Sequence, residues 1–161
     1  MRLICITALG VAAIAFSGSA WAQELPSQKV LTIDMAQTIA QATLAKCRAD
    51  GFKITVTVVD SANAVKVVLR DDGATIASAE VGRMKASTVI IFGRPSYPPY
   101  LADGDPVPRP NLPGTINERG GLPIMAGGQL IGAVSVAGPP DGHEDVACAG
   151  AGIAKIADKL K

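Results

Sequence analysis

Two β-prone runs, Leu122–Ala126 and Gln129–Ala137, meet at Gly127-Gly128. A two-residue link with both positions at positive φ closes a tight hairpin, and glycine reaches that conformation without a Cβ clash. The strands on either side must then run antiparallel. Upstream, KITVTVVD (Lys53–Asp60) is dense in β-branched residues, and VKVVLR (Val65–Arg70) follows the turn Ser61-Ala62-Asn63-Ala64. That is a second hairpin. Gly132, inside the last run, marks a bulge or a close approach of another backbone. These glycines do not form a phosphate cradle. No lysine follows them as GxxxxGK[ST] requires, and no GxGxxG lies between a strand and a helix.

Helical patterns surround the hairpins. Thr32 can cap a helix over Ile33–Arg48 with Met35, Ile39 and Ala42 on one face, stopped by Gly51. Asp71-Asp72-Gly73 turns the chain out of the first hairpin, a role that suits these residues better than metal binding. Thr75 or Ser78 can then cap a second helix reaching about Ile91, with Ile76, Ala79, Val81, Met84, Ala86 and Val89 as its apolar residues. Asp141 stands three residues before Glu144, close to a capping box, and Val146, Ala149, Ile153, Ile156 and Leu160 continue as a helical stripe. Between the second helix and the last hairpin, residues 93–119 hold seven of the eleven prolines. Such a segment cannot stay regular. Connections of this length in a compact domain are usually lids, binding loops or interface arms. The order of helix, hairpin, helix, loop, hairpin and helix is α+β.

The N-terminus sets an expectation of export. Arg2, an apolar run from Leu3 to Phe16 and the small-x-small triplet Ala20-Trp21-Ala22 read as a signal peptide cleaved after Ala22. The run is short for a membrane span. The expected organisation is a signal over residues 1–22 and one domain over 23–161, in the periplasm or secreted, with no membrane attachment in the mature form. Removing Arg2 turns 15 basic against 14 acidic residues into 14 against 14. A neutral chain without a basic cluster argues against nucleic acid or an anionic membrane as partner. Cys5 leaves with the signal. Cys47 and Cys148 are expected to pair as a structural disulfide in an oxidising compartment. The alternatives are a metal site or a redox-active thiol, but there is no CxxC and only one histidine.

Several short motifs then fall in one order: Asp72-Gly73-Ala74, Arg83-x-Lys85-Ala86, Phe92 and Gly120-Gly121-Leu122-Pro123-Ile124. Gly128-x-Leu130-Ile131-Gly132-Ala133, Val136-x-Gly138 and an acidic residue opening the last helix complete the series. In this succession the chain resembles the GlcG/HbpS-like family over about Leu31 to Leu160. The resemblance implies a profilin-like α+β domain, an antiparallel five-stranded sheet flanked by helices, assembled as dimers to octamers. Some relatives bind haem, with links to haem degradation or iron sensing. Haem, or a smaller ligand, is therefore the expected cofactor.

Candidate ligand residues follow from that implication. His143 is the single histidine, near the start of the last helix, and imidazole is a common haem ligand. Its alternative role is an ordinary exposed side chain. Tyr97, Tyr100, Met84 and Met125 are further axial candidates that could equally be packing residues. Arg83 and Lys85, two apart on a helix, do not share a face. Either could meet a propionate or another carboxylate, or only a surface acid. The only histidine has no evident serine or aspartate relay, so no nucleophile–base pair names a reaction. Three functions stay open: a haem- or small-ligand-binding module, an enzyme or accessory acting on haem or a small acid, and an assembly protein without a ligand.

Overall fold

The computed structural model describes residues 27–98, 104, 106–110, 112–139 and 142–161. Helix α1 (Ile33–Ala49) leads into strands β1 (Thr55–Asp60) and β2 (Val65–Arg70), then helix α2 (Ser78–Phe92). Strands β3 (Gly121–Ala126) and β4 (Gln129–Ala137) precede helix α3 (His143–Ala154) and a 3₁₀ turn over Ala157–Lys159. The sheet order is β2-β1-β4-β3, antiparallel throughout.

Local chemistry accounts for most boundaries. Thr32 Oγ1 accepts the Met35 N–H at the start of α1, and Gly51 takes positive φ just past its end. Gly127 and Gly128 both have positive φ in the tight β3–β4 turn. Ile124 pairs with Gly132 but Met125 pairs with Leu130, so Ile131 is the extra residue of a bulge. A Cβ at Gly132 would collide with the carbonyl of Val59 on β1. The glycine thus permits the close approach, and the bulge falls at its neighbour Ile131. Gly142, rather than an acidic side chain, occupies the N-cap of α3; the capping expectation for Asp141 lies outside the described residues. The stripe to Leu160 breaks after Ala154, and only the 3₁₀ turn continues it.

The expected five-stranded sheet has four strands among the described residues. The described residues between α2 and β3 contribute only an isolated bridge at Pro106. Prolines there lack the N–H donors that a fifth ladder would use.

The sheet's two faces differ in chemistry. Val56, Val58, Val134 and Val136 join Ile39, Ala40, Cys47, Cys148 and Ala149 in one apolar cluster under α1 and α3. Each fully buried valine or isoleucine contributes about 1.5–3 kcal/mol. The opposite face meets α2 through a small patch of Val59, Ala86, Val89 and Ala133. Hydroxyls complete that face: Thr55 Oγ1 lies 2.7 Å from Ser78 Oγ, and Ser135 Oγ donates to the Gly82 carbonyl at 2.6 Å. Cys47 and Cys148 form a disulfide joining α1 to α3, with Cα atoms 5.6 Å apart.

Candidate functional site

Where β4 ends and β3 begins, helices from opposite faces of the sheet bring two charged side chains together. Lys85 of α2 is 3% exposed, and Asp145, in the first turn of α3, is fully buried. Lys85 Nζ donates to Asp145 Oδ2 at 2.9 Å and to the Val136 carbonyl at 3.1 Å. Glu118 Oε2 lies 4.0 Å from the same nitrogen, its side chain largely in solvent. Several polar partners at short range let an ion pair persist out of water.

The loop after α2 is pinned beside this pair. Ser96 is buried; its Oγ accepts the Gly121 N–H at 2.9 Å and donates to the Glu118 carbonyl. Arg109 Nη1 donates to the carbonyls of Pro95 and Ser96 at 3.1 Å each, and its guanidinium sits 5.2 Å from the Phe92 ring centre. The Arg119 guanidinium lies 5.7 Å from the ring centre of Tyr97. Both are cation–π distances. Burial first, and then the charge of Arg94, hold the Arg109 guanidinium below its ordinary value.

Lys85, Tyr97, Arg109, Glu118 and Arg119 line a cleft of about 520 Å³. Lys85, Arg109 and Arg119 bring positive charge to it, Glu118 negative charge, and Tyr97, Val107 and several prolines apolar surface. A second cleft of about 170 Å³ shares Lys85, Glu118 and Pro139 with the first. The larger volume falls in the range of about 300–1,000 Å³ usual for small-molecule sites. Its mixture of a ring, prolines and guanidinium groups suits an apolar ligand carrying a negative group.

The structure gathers some of the residues singled out from sequence and separates others. Lys85 and Tyr97 line the larger cleft. Arg83 does not; it is half-buried and pairs with Glu80 at 3.4 Å on its own helix. The two-residue spacing of Arg83 and Lys85 does divide them between faces. Met84 is partly buried and lines neither cleft, and Met125 is exposed near the far end of the β3–β4 hairpin. His143 is exposed at the first position of α3, next to Gly142, which lines the cleft. Tyr100 lies outside the described residues. Asp145, Arg109, Glu118 and Arg119 were not singled out. The one hint was the acidic residue expected to open the last helix; nothing in the proline-rich segment distinguished Arg109.

A family model described as "Haem degrading protein HbpS-like" matches residues 31–154. The chain belongs to the HbpS-like family. A crystal structure of HbpS is similar at 33% identity, covering 81% of this chain and 93% of that one, with a TM-score of 0.69. A Streptomyces reticuli HbpS in which two glutamates are replaced by aspartates is similar at 31% identity, over 92% of this chain and 97% of that one, with the same TM-score of 0.69. The PduOC:heme complex shares the fold, at 20% identity, over 80% of this chain and 96% of that one and a TM-score of 0.68. Among curated proteins, no sequence matches the HbpS-like chain at a significant level.

Proposed function

We propose that this HbpS-like chain is an exported protein that binds haem, or a smaller apolar acid, in the cleft beside Lys85. The observation that carries the reading is the cleft itself. Its volume of about 520 Å³ combines apolar walls with cationic groups from α2 and from the segment that follows it. Haem is a flat apolar ring edged by two carboxylates, and the lining fits that character. Tyr97 would offer a phenolic oxygen, a known type of haem ligand. Arg109 and Arg119 would meet the carboxylates, and Val107 and the prolines would flank the ring. When bound, haem would supply redox-active iron. The protein's own residues bind it, orient it and limit its contact with water. The family match and the kinship with HbpS support this choice of ligand. The apolar leader and the disulfide support export. Homo-oligomers from dimers to octamers are part of the same proposal.

The test is a haemin titration of the chain from Gln23, followed by absorbance, beside His143→Ala and Tyr97→Phe. A saturable Soret shift supports the reading, and its change in one variant names the iron ligand. No shift beyond that of a non-binding control protein sinks haem.

The family description favours a second reading, haem degradation. Loss of porphyrin absorbance with a reductant and oxygen would support it. Stable stoichiometric binding under those conditions would exclude it.

A further inference from the structure

Arg109 holds its guanidinium in an unusual way. Nη1 is committed to the carbonyls of Pro95 and Ser96, and the plane rests over Phe92. Nε and Nη2 are screened from solvent yet have no hydrogen-bond partner among the described residues. Nor does Arg109 form an ion pair with any described acid. The free Nε–H and the adjacent Nη2–H are parallel and form the side of the guanidinium that matches the two oxygens of a carboxylate. Buried donors are costly to leave unmade, and a fixed fork loses little freedom on binding.

We propose that Arg109 is the carboxylate receptor of the cleft, binding an acidic group on an otherwise apolar ligand through its Nε–H and Nη2–H pair. This rests on the reading that the cleft is a ligand site. Three features define the class of ligand. Arg109 lines the cleft, its fork is unfilled, and Tyr97 and Val107 supply apolar surface in the same space. Lys85 does not compete for the acid, because Asp145 already pairs with its charge. Glu118 is the one acidic side chain in the described lining and is mostly in solvent.

The experiment uses two matched pairs of probes: haemin with its dimethyl ester, and 2-naphthoate with methyl 2-naphthoate. Dissociation constants are measured for the wild-type chain from Gln23 and for Arg109→Gln. The wild type is expected to bind each acid about tenfold or more tightly than its ester, as charge-assisted hydrogen bonds imply. Arg109→Gln is expected to lose most of that preference, read as the ratio of acid to ester affinity within the one variant. Because this change also removes the bonds to Pro95 and Ser96, the wild type is examined directly by ¹⁵N NMR. In the diamagnetic naphthoate pair, the acid should move the Arg109 Nε–H resonance downfield, as a hydrogen bond to a carboxylate does, and the ester should not. Haemin binding with equal affinity for acids and esters, or with a preference that survives Arg109→Gln, overturns the Arg109 assignment and leaves the haem reading. An Arg109-dependent preference for naphthoate without haemin binding leaves the assignment and sinks haem. If no acid binds or moves the resonance, the assignment falls as well.

Discussion

Lys85 Nζ and Asp145 Oδ2 lie 2.9 Å apart across 60 residues of sequence, both side chains withdrawn from water. Removing the cation alone would strand a buried carboxylate. Lys85→Met is expected to cost about 3–5 kcal/mol, and adding Asp145→Leu should recover much of that loss. Urea unfolding of the two single variants and the double variant checks this. A cost below about 1 kcal/mol for Lys85→Met would contradict it.

The Cys47–Cys148 bond closes a separation of 101 residues. In the chain-entropy account, a loop of that size contributes up to about 4–5 kcal/mol. The chain from Gln23, unfolded without reductant, should show no free thiol. Reduction should lower its urea midpoint. Two titratable thiols in the unreduced chain would refute the bond.

Two glycines of α3 should respond in opposite ways to alanine. At Gly152 a new Cβ would strike Thr43 Oγ1 and come within 2.8 Å of the Ile39 carbonyl on α1. The hydroxyl can swing aside but the backbone cannot. A helix-propensity gain of about 1 kcal/mol is outweighed by an overpacking cost of about 1–3 kcal/mol, with the loss of close α1–α3 contact besides. At Gly150 nothing lies within 4 Å of the new Cβ. There the propensity term acts alone, and Gly150→Ala should stabilise by about 0.5–1 kcal/mol. Thermal melts of the two variants settle the signs, and stabilisation by both would show that α1 and α3 are not in close contact.

Acid stability should depend on Asp71. The Arg48 guanidinium, 2.8 Å away, holds its carboxyl below the ordinary carboxylate value, against the upward push of burial, and Lys53 adds to the lowering. A group lowered on folding stabilises the native state above its unfolded pKa, near 3.9 for aspartate. That contribution disappears as pH falls through the folded value. Asp71→Asn should therefore flatten the decline in stability below about pH 4. An unchanged slope there, measured by urea midpoints across the acid range, would contradict the assignment.

The hairpins and helices were legible because their signals are local. The run of β-branched residues in Thr55–Asp60, the Gly127-Gly128 link and the Thr32 cap each act within a few residues. The sheet was overcounted because the fifth strand came from resemblance, whereas the prolines of this loop belong to the chain itself. Half of the Lys85 pair was also legible, since the Arg83–Lys85 spacing sends the two side chains to different faces. Its partner was not. Asp145 meets Lys85 only after both helices pack on the sheet, and no local pattern encodes a contact 60 residues away. Arg109 was hidden for a related reason. Its placement depends on Ser96 fastening the loop to Gly121 and on the Phe92 ring, none of which sequence spacing reveals.

The contrast between the sheet's two faces has a consequence for how the protein tolerates change. Valine–isoleucine exchanges beneath α1 and α3 can be absorbed by repacking at modest cost. The Thr55–Ser78 and Ser135–Gly82 bonds are directional, and a hydroxyl displaced by one position bonds nothing. They index α2 against the strands as a key is indexed by its cuts, and α2 carries Lys85. The apolar half of the molecule is free to vary in composition, while a few small hydroxyls hold the cleft's geometry in register.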